Sequence, residues 1–165
     1  MFKRIIVLIL IIFAFKGCTK DDICPEGTAI TPKLIITFND IVNPANRKKV
    51  EGLSIVTNYA DTVVVLARTT TDSIAIPLNI NSDTTKYKFI RTTITATDTI
   101  VNVDKIDFVY QRYNGYVNRA CGFKTEFNNL ETTLEEEGTF NWIQEIITNR
   151  DTINDENEAH LTILH

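Results

Sequence analysis

Three cysteines and two histidines hold most of the chemistry open to this 165-residue chain. A serine-type triad would have to recruit His160 or His165, both at the far end of the sequence, and no Gly-x-Ser-x-Gly elbow is present. The two histidines are separated by an odd number of positions. On a strand that puts them on opposite faces, whereas a zinc site needs ligands that converge. Glu131, Glu135, Glu136 and Glu137 form an acidic stretch without the spaced ligands or the sharp glycine turn of a calcium loop. Glycoside hydrolysis needs two carboxylates, which 21 acidic residues supply in excess and which no spacing singles out. A glycine-rich phosphate loop is missing too. The expectation is a non-enzyme with no catalytic residue, metal or cofactor, which leaves the cysteines to explain.

Cys18 closes a leader. Met1-Phe2-Lys3-Arg4 is basic, and Ile5 to Phe15 is an apolar run much shorter than the roughly 20 residues that span a bilayer. A basic flank and a short apolar core read as a signal peptide over residues 1–17. Gly17-Cys18 then resembles the lipobox, where a peptidase cuts before a cysteine that carries diacylglycerol and an added acyl chain such as palmitate. Lys16 and Phe15 depart from the usual small residue and leucine there. Thr19-Lys20-Asp21-Asp22 looks like the export signal that sends Bacteroidota lipoproteins to the outer face of the outer membrane. Two or more chains make such an anchor stable, because each buried methylene contributes about 0.8 kcal/mol.

Cys24 and Cys121 remain. Beyond the inner membrane a disulfide is permitted, and closing a loop this long contributes up to about 4–5 kcal/mol in the chain-entropy model. The alternative is two separate thiols, with Cys121 a small core residue. Three of the 17 basic residues (Lys3, Arg4, Lys16) lie in the leader, so 14 face 21 acids and the mature chain is acidic. Nucleic acid is thereby excluded as a partner, since it requires clustered cations.

These residues must be positioned by strands. After a tether over residues 18–32, Lys33 to Asn39 alternates Leu34, Ile36 and Phe38 on one face. Leu53 to Asn58, Thr62 to Arg68, Ser73 to Ile80 and Lys86 to Thr95 follow, rich in Val, Ile and Thr. Pro77 lacks an amide hydrogen, which assigns its strand to a sheet edge or a bulge. Asp61, Asp72 and Asp83 recur at the spacing of turns in a sandwich. With Asp98 and Asp151, each precedes Thr or Ser and then an apolar residue, or Thr85 in the case of Asp83, a pattern that resembles the O-glycosylation sequon of Bacteroidota. An aspartate in a turn before a strand produces the same tripeptide without modification.

Asn114-Gly115 is a strong type I′ hairpin signal. Counting outward from it pairs Phe108 with Cys121 and Ile106 with Phe123, all facing the core. The same register sets Tyr113 beside Tyr116 at an exposed tip, backed by Gln111 and Asn118. Those four form either a platform for a sugar ring or peptide, or merely a cross-strand aromatic pair. Leu130 to Gly138 reads as an acidic connection. Trp142 to Thr148 and Glu158 to His165 close the fold as a pair of strands, and Trp142 is a further candidate stacking residue.

Several stretches together resemble an uncharacterised Bacteroidota family of outer-membrane lipoproteins, known only as a domain of unknown function. They are Cys18, Asp21-Asp22-Ile23-Cys24, Thr31-Pro32-Lys33-Leu34-Ile35-Ile36, Arg119-Ala120-Cys121-Gly122, and Asn157-Glu158-Ala159-His160 before the final His165. The resemblance implies a lipid-anchored domain and no activity. The expected fold is all-β, an immunoglobulin-like sandwich of about seven to nine antiparallel strands over residues 33–165, with a small barrel as the alternative. The expected role is a non-catalytic surface lipoprotein that binds or scaffolds. Its partners are the membrane through the anchor and an envelope protein or a glycan, the latter for an uptake system.

Overall fold

The computed structural model describes residues 23–28 and 30–165; the leader, the export signal and Cys18 lie outside the described residues. The chain divides into two compact units, a body of Thr31–Asn114 with Thr125–His165, and a hairpin unit of Gly115–Lys124 with the segment up to Ile30.

The described residues form nine strands: β1 Leu34–Asn39, β2 Val50–Thr57, β3 Val64–Thr71, β4 Ser73–Ile76, β5 Thr84–Ile94, β6 Thr99–Asn118, β7 Gly122–Leu134, β8 Glu145–Thr148 and β9 Leu161–Leu164. They form a four-stranded sheet in the order β4-β1-β9-β8 and a five-stranded sheet in the order β3-β2-β5-β6-β7. The sheets do not close into a barrel, so the sandwich expectation holds. One ladder departs from the antiparallel expectation. β9 lies between β8 and β1, antiparallel to β8 but parallel to β1 from Ile36↔Leu161 to Asn39↔Leu164. A strand inserted between two others has only one hairpin partner, and its direction along the second neighbour is then imposed.

Alternation explains the core. Leu34, Ile36 and Phe38 of β1 and Leu161 and Ile163 of β9 are buried in one cluster with Leu53 and Ile55 of β2, Phe89 of β5 and Ile106 and Phe108 of β6. Each such side chain contributes about 1.5–3 kcal/mol when fully removed from water. Between β3 and β4 only Asp72 intervenes, and there the chain passes from one sheet to the other. The Phe38 amide and the Arg47 guanidinium both donate to its carbonyl, at 2.9 and 3.0 Å. Pro77 directly follows β4, an outer strand, as its missing donor requires. β2 carries a bulge at Gly52, whose φ is +63° and whose added Cβ would lie 2.1 Å from the Thr92 carbonyl oxygen. Only glycine fits that approach.

Two expectations for the second half are corrected. Asn114-Gly115 is not a turn: β6 continues to Asn118, and the chain reverses at Arg119–Cys121 before β7 begins at Gly122. The Asn118 Oδ1 accepts the Cys121 amide hydrogen at 2.7 Å, and Gly122 takes the left-handed conformation (φ 72°) that the reversal needs. The pairing of Phe108 with Cys121 and of Ile106 with Phe123 falls with that turn, although Ile106 and Phe108 do face the core, where Tyr110 joins them at 2% exposure. Phe123 is 71% exposed, and Thr125 and Phe127 of β7 are buried instead. The acidic connection also begins later than expected, since β7 runs to Leu134 with Leu130 buried.

Candidate functional site

In the hairpin unit Cys24 and Cys121 form a disulfide, with their Cα atoms 4.8 Å apart. Of the four residues expected to make a platform, Tyr113 and Tyr116 are exposed, at 60% and 63%. No turn separates them, however. They lie three residues apart on one strand, at positions of opposite parity, so the side-by-side pair across a tip does not form. Asn118 is occupied in capping the reversal, and the Gln111 Oε1 accepts from the Asn129 amide nitrogen at 3.1 Å. The aromatic partner that sequence reading missed is Phe123. Its ring meets Tyr116 edge-on, with centroids 5.4 Å apart. Counting from the correct turn would have revealed it.

The body has a shallow basic concavity of about 360 Å³ lined by Lys48, Lys49, Arg91 and His165 among others. Its cations are already partly engaged. The Lys48 ammonium lies 3.3 Å from the Asp40 carboxylate and donates to the His165 carbonyl at 2.8 Å. The Val42 amide and then Lys48 hold the Asp40 carboxyl below its ordinary range. Arg91 sits over the Trp142 ring, 5.5 Å from its centroid. Trp142 itself is buried, with its indole nitrogen donating to the Phe89 carbonyl at 3.2 Å and its ring against Phe38 and His165. It therefore cannot stack on a sugar, and that candidate role is withdrawn. Glu51 also lines the concavity, so Lys49 and Arg91 face it together with a carboxylate.

The remaining polar side chains inside the body serve its architecture. Asp104, on the core face of β6, accepts the Ile143 amide hydrogen at 2.8 Å, and burial pushes its carboxyl up. Tyr110 donates to the Asn79 carbonyl at 2.9 Å, and Tyr87 donates to the Pro77 carbonyl at 2.6 Å. Burial raises the Tyr87 hydroxyl to about 12. His160, fully buried, accepts the Ile35 amide hydrogen on Nδ1 at 3.0 Å, which fixes the proton on Nε2. His165 at the other end of β9 contacts the Lys48 carbonyl through Nε2 at 3.2 Å. Burial lowers both imidazoles. Among the described residues no three His, Cys, Asp or Glu side chains are grouped to hold a metal.

No curated protein and no solved structure matches this chain. A protein family does. The matching span, residues 52–165, starts at the Gly52 bulge and takes in Arg91, Asp104, Cys121, Trp142 and both histidines, so it carries the features that define the body's five-stranded sheet and its closing hairpin. It covers well over half of the chain, which therefore belongs to the family of unknown function DUF6452.

Proposed function

We propose that this protein is a non-catalytic lipoprotein, held on the outer membrane or cell surface by a lipid on Cys18, which binds or scaffolds an envelope partner. The observation that carries the reading is the Cys24–Cys121 disulfide. Such bonds persist in oxidising compartments, and this one lies six residues after the cysteine of a lipobox-like leader. The disposition of polar groups supports the same reading. Asp104 and His160 each accept a backbone amide hydrogen, and the Tyr87 and Tyr110 hydroxyls each donate to a backbone carbonyl. The basic concavity is open and shallow, suited to a contact surface.

Metabolic labelling with a palmitate analogue tests the anchor: the natural protein takes up label and sediments with membranes, and Cys18→Ala does neither. An unlabelled, soluble natural protein overturns the proposal. Protease added to intact cells then distinguishes a surface location from a periplasmic one. Crosslinking from intact cells with the anchor in place identifies the partner, and substitution of Lys49 and Arg91 decides whether the basic concavity is its contact.

A further inference from the structure

We infer that the end of the hairpin is a bilayer-contacting surface, with the rings of Tyr116 and Phe123 lying in the headgroup layer of the membrane that anchors the chain. This rests on the anchored reading above and adds what the protein does at that membrane. Tyr116 and Phe123 are 63% and 71% exposed, yet they pack on each other edge-on, so they present one apolar surface rather than two isolated rings. Neither lies in the body's hydrophobic cluster.

What selects a bilayer as the occupant is the chain outside the described residues and the point where it ends. That chain includes the apolar run Ile5 to Phe15 and Cys18, and it joins the described residues at Ile23, itself 77% exposed. The next residue, Cys24, is bonded to Cys121, two positions before Phe123. Along the chain, 98 positions separate Cys18 from Tyr116 and 105 separate it from Phe123. With the disulfide, Cys18 is six residues from the bonded Cys24, which reaches at most ~20–22 Å even when fully extended. The aromatic surface is thus confined to a short distance from lipid by covalent bonds alone.

The side chains suit that place. Tyrosine combines an apolar ring with a hydroxyl that remains hydrated, and such rings concentrate at membrane–water boundaries. Arg119, exposed at the chain reversal, supplies a cation of the kind that attracts anionic headgroups. A second copy of the chain or a soluble glycan would not need its surface to be fixed next to the anchor.

The test uses the full chain, purified with its anchor and incorporated into phosphatidylethanolamine–phosphatidylglycerol vesicles whose acyl chains carry bromine near the headgroup. Phe123→Trp places a reporter in the surface, while Trp142, being buried, serves as the unquenched reference within the same protein. Expected is flotation with the vesicles, blue-shifted emission from position 123 and loss of most of its intensity. Flotation with an unquenched, red-shifted reporter overturns the inference and leaves the anchor standing. Failure to float overturns the anchored reading, and the inference falls with it. Should Phe123→Trp fail to form the disulfide, hydroxyl-radical labelling of the unaltered chain decides. Tyr116 and Phe123 are then labelled several-fold less in vesicles than in the Cys18→Ala protein in solution, and equal labelling overturns the inference.

Discussion

The body and the hairpin unit are held together by opposite means. In the body, apolar side chains from both sheets converge on one cluster, and the Asp104 and His160 side chains that enter it each accept one backbone amide hydrogen, while their other polar atom, Oδ1 or Nε2, has no partner among the described residues. In the hairpin unit the large side chains Ile23, Tyr116 and Phe123 are more than 60% exposed, and a disulfide makes the long-range connection. The first arrangement stabilises through removal of surface from water, the second through a constraint on the unfolded chain. A segment that keeps its shape without burying its aromatic residues leaves them available to something outside the molecule.

The contrast is broken most severely from inside the body. Phe108 is fully buried and packs against Phe89 and Tyr87, so Phe108→Ala leaves a cavity where a ring was and lowers stability by about 3–5 kcal/mol. Denaturant titration of the oxidised protein measures it, and a loss below 1 kcal/mol would mean that the two sheets do not share this core. Next comes the disulfide. Cys24→Ser with Cys121→Ser lowers stability by about 2–4 kcal/mol, less than the full loop-closure value because the released segment gains freedom in the folded protein too. Hydrogen exchange sharpens the comparison: amides of residues 115–124 lose protection in the double variant, while those of β1 and β5 keep theirs relative to global unfolding. Uniform loss across both regions would show that the two units are not separable.

These differences were unevenly legible in the sequence. Alternation in β1 and in the Ile106–Phe108 part of β6 marked the core directly, because a period of two with Leu, Ile and Phe leaves little else for those stretches to be. The aspartates before Thr or Ser marked turns or sheet changes at Asp61, Asp72, Asp83 and Asp98, as short side chains that hydrogen-bond locally tend to do. The hairpin defeated local reading because two reversals competed. Asn114-Gly115 is the stronger local signal, but the reversal at Arg119–Cys121 combines the Asn118 cap, Gly122 and a disulfide partner 97 residues away. The last of these is invisible within any short window. Asp104 was missed for a different reason: a carboxylate in a strand suggests solvent, although its even parity with Ile106 and Phe108 already placed it on the core face.

Acid separates the regions again, since the described histidines, His160 and His165, both lie in the body. Burial lowers each imidazole below its unfolded value of about 6.5, so the unfolded chain binds more protons once the pH falls below that value. Around His160, Arg150 reinforces the depression while Asp155 and Glu156 oppose it; around His165, the hydrogen bond to the Lys48 carbonyl and the Asp40 charge oppose it, while the charges of Lys48 and Arg91 reinforce it. Stability is therefore level above about pH 7 and falls below pH 6.5, by at most about 1.4 kcal/mol per pH unit for each histidine. Asp104 acts with the opposite sign at lower pH, because its raised carboxyl favours the folded state when protonated. Denaturant midpoints between pH 8 and 5 check this, and His160→Gln should flatten the curve. A curve that rises on acidification contradicts the neutral, backbone-bound imidazoles.

The smallest effect falls at the reversal itself. Asn118→Ala removes the acceptor of the Cys121 amide hydrogen but leaves Gly122 and the disulfide in place. One partly exposed hydrogen bond of this kind contributes roughly 0.5–1.5 kcal/mol, so the change in global stability is at or below that range. Its diagnostic value lies in where it acts. If the covalent bond rather than the turn fixes the hairpin, Asn118→Ala leaves Cys24 fully protected from alkylation in the oxidised protein, and only amides near Arg119–Cys121 exchange faster. Gly115→Ala gives the complementary reading: Gly115 lies within β6 without a positive φ, so alanine there is tolerated, whereas a true Asn114-Gly115 turn would lose about 1–2 kcal/mol by placing alanine in the left-handed region. Exposed thiol in Asn118→Ala, or a destabilised Gly115→Ala, would return the turn to Asn114-Gly115 and dissolve the aromatic pair of Tyr116 with Phe123.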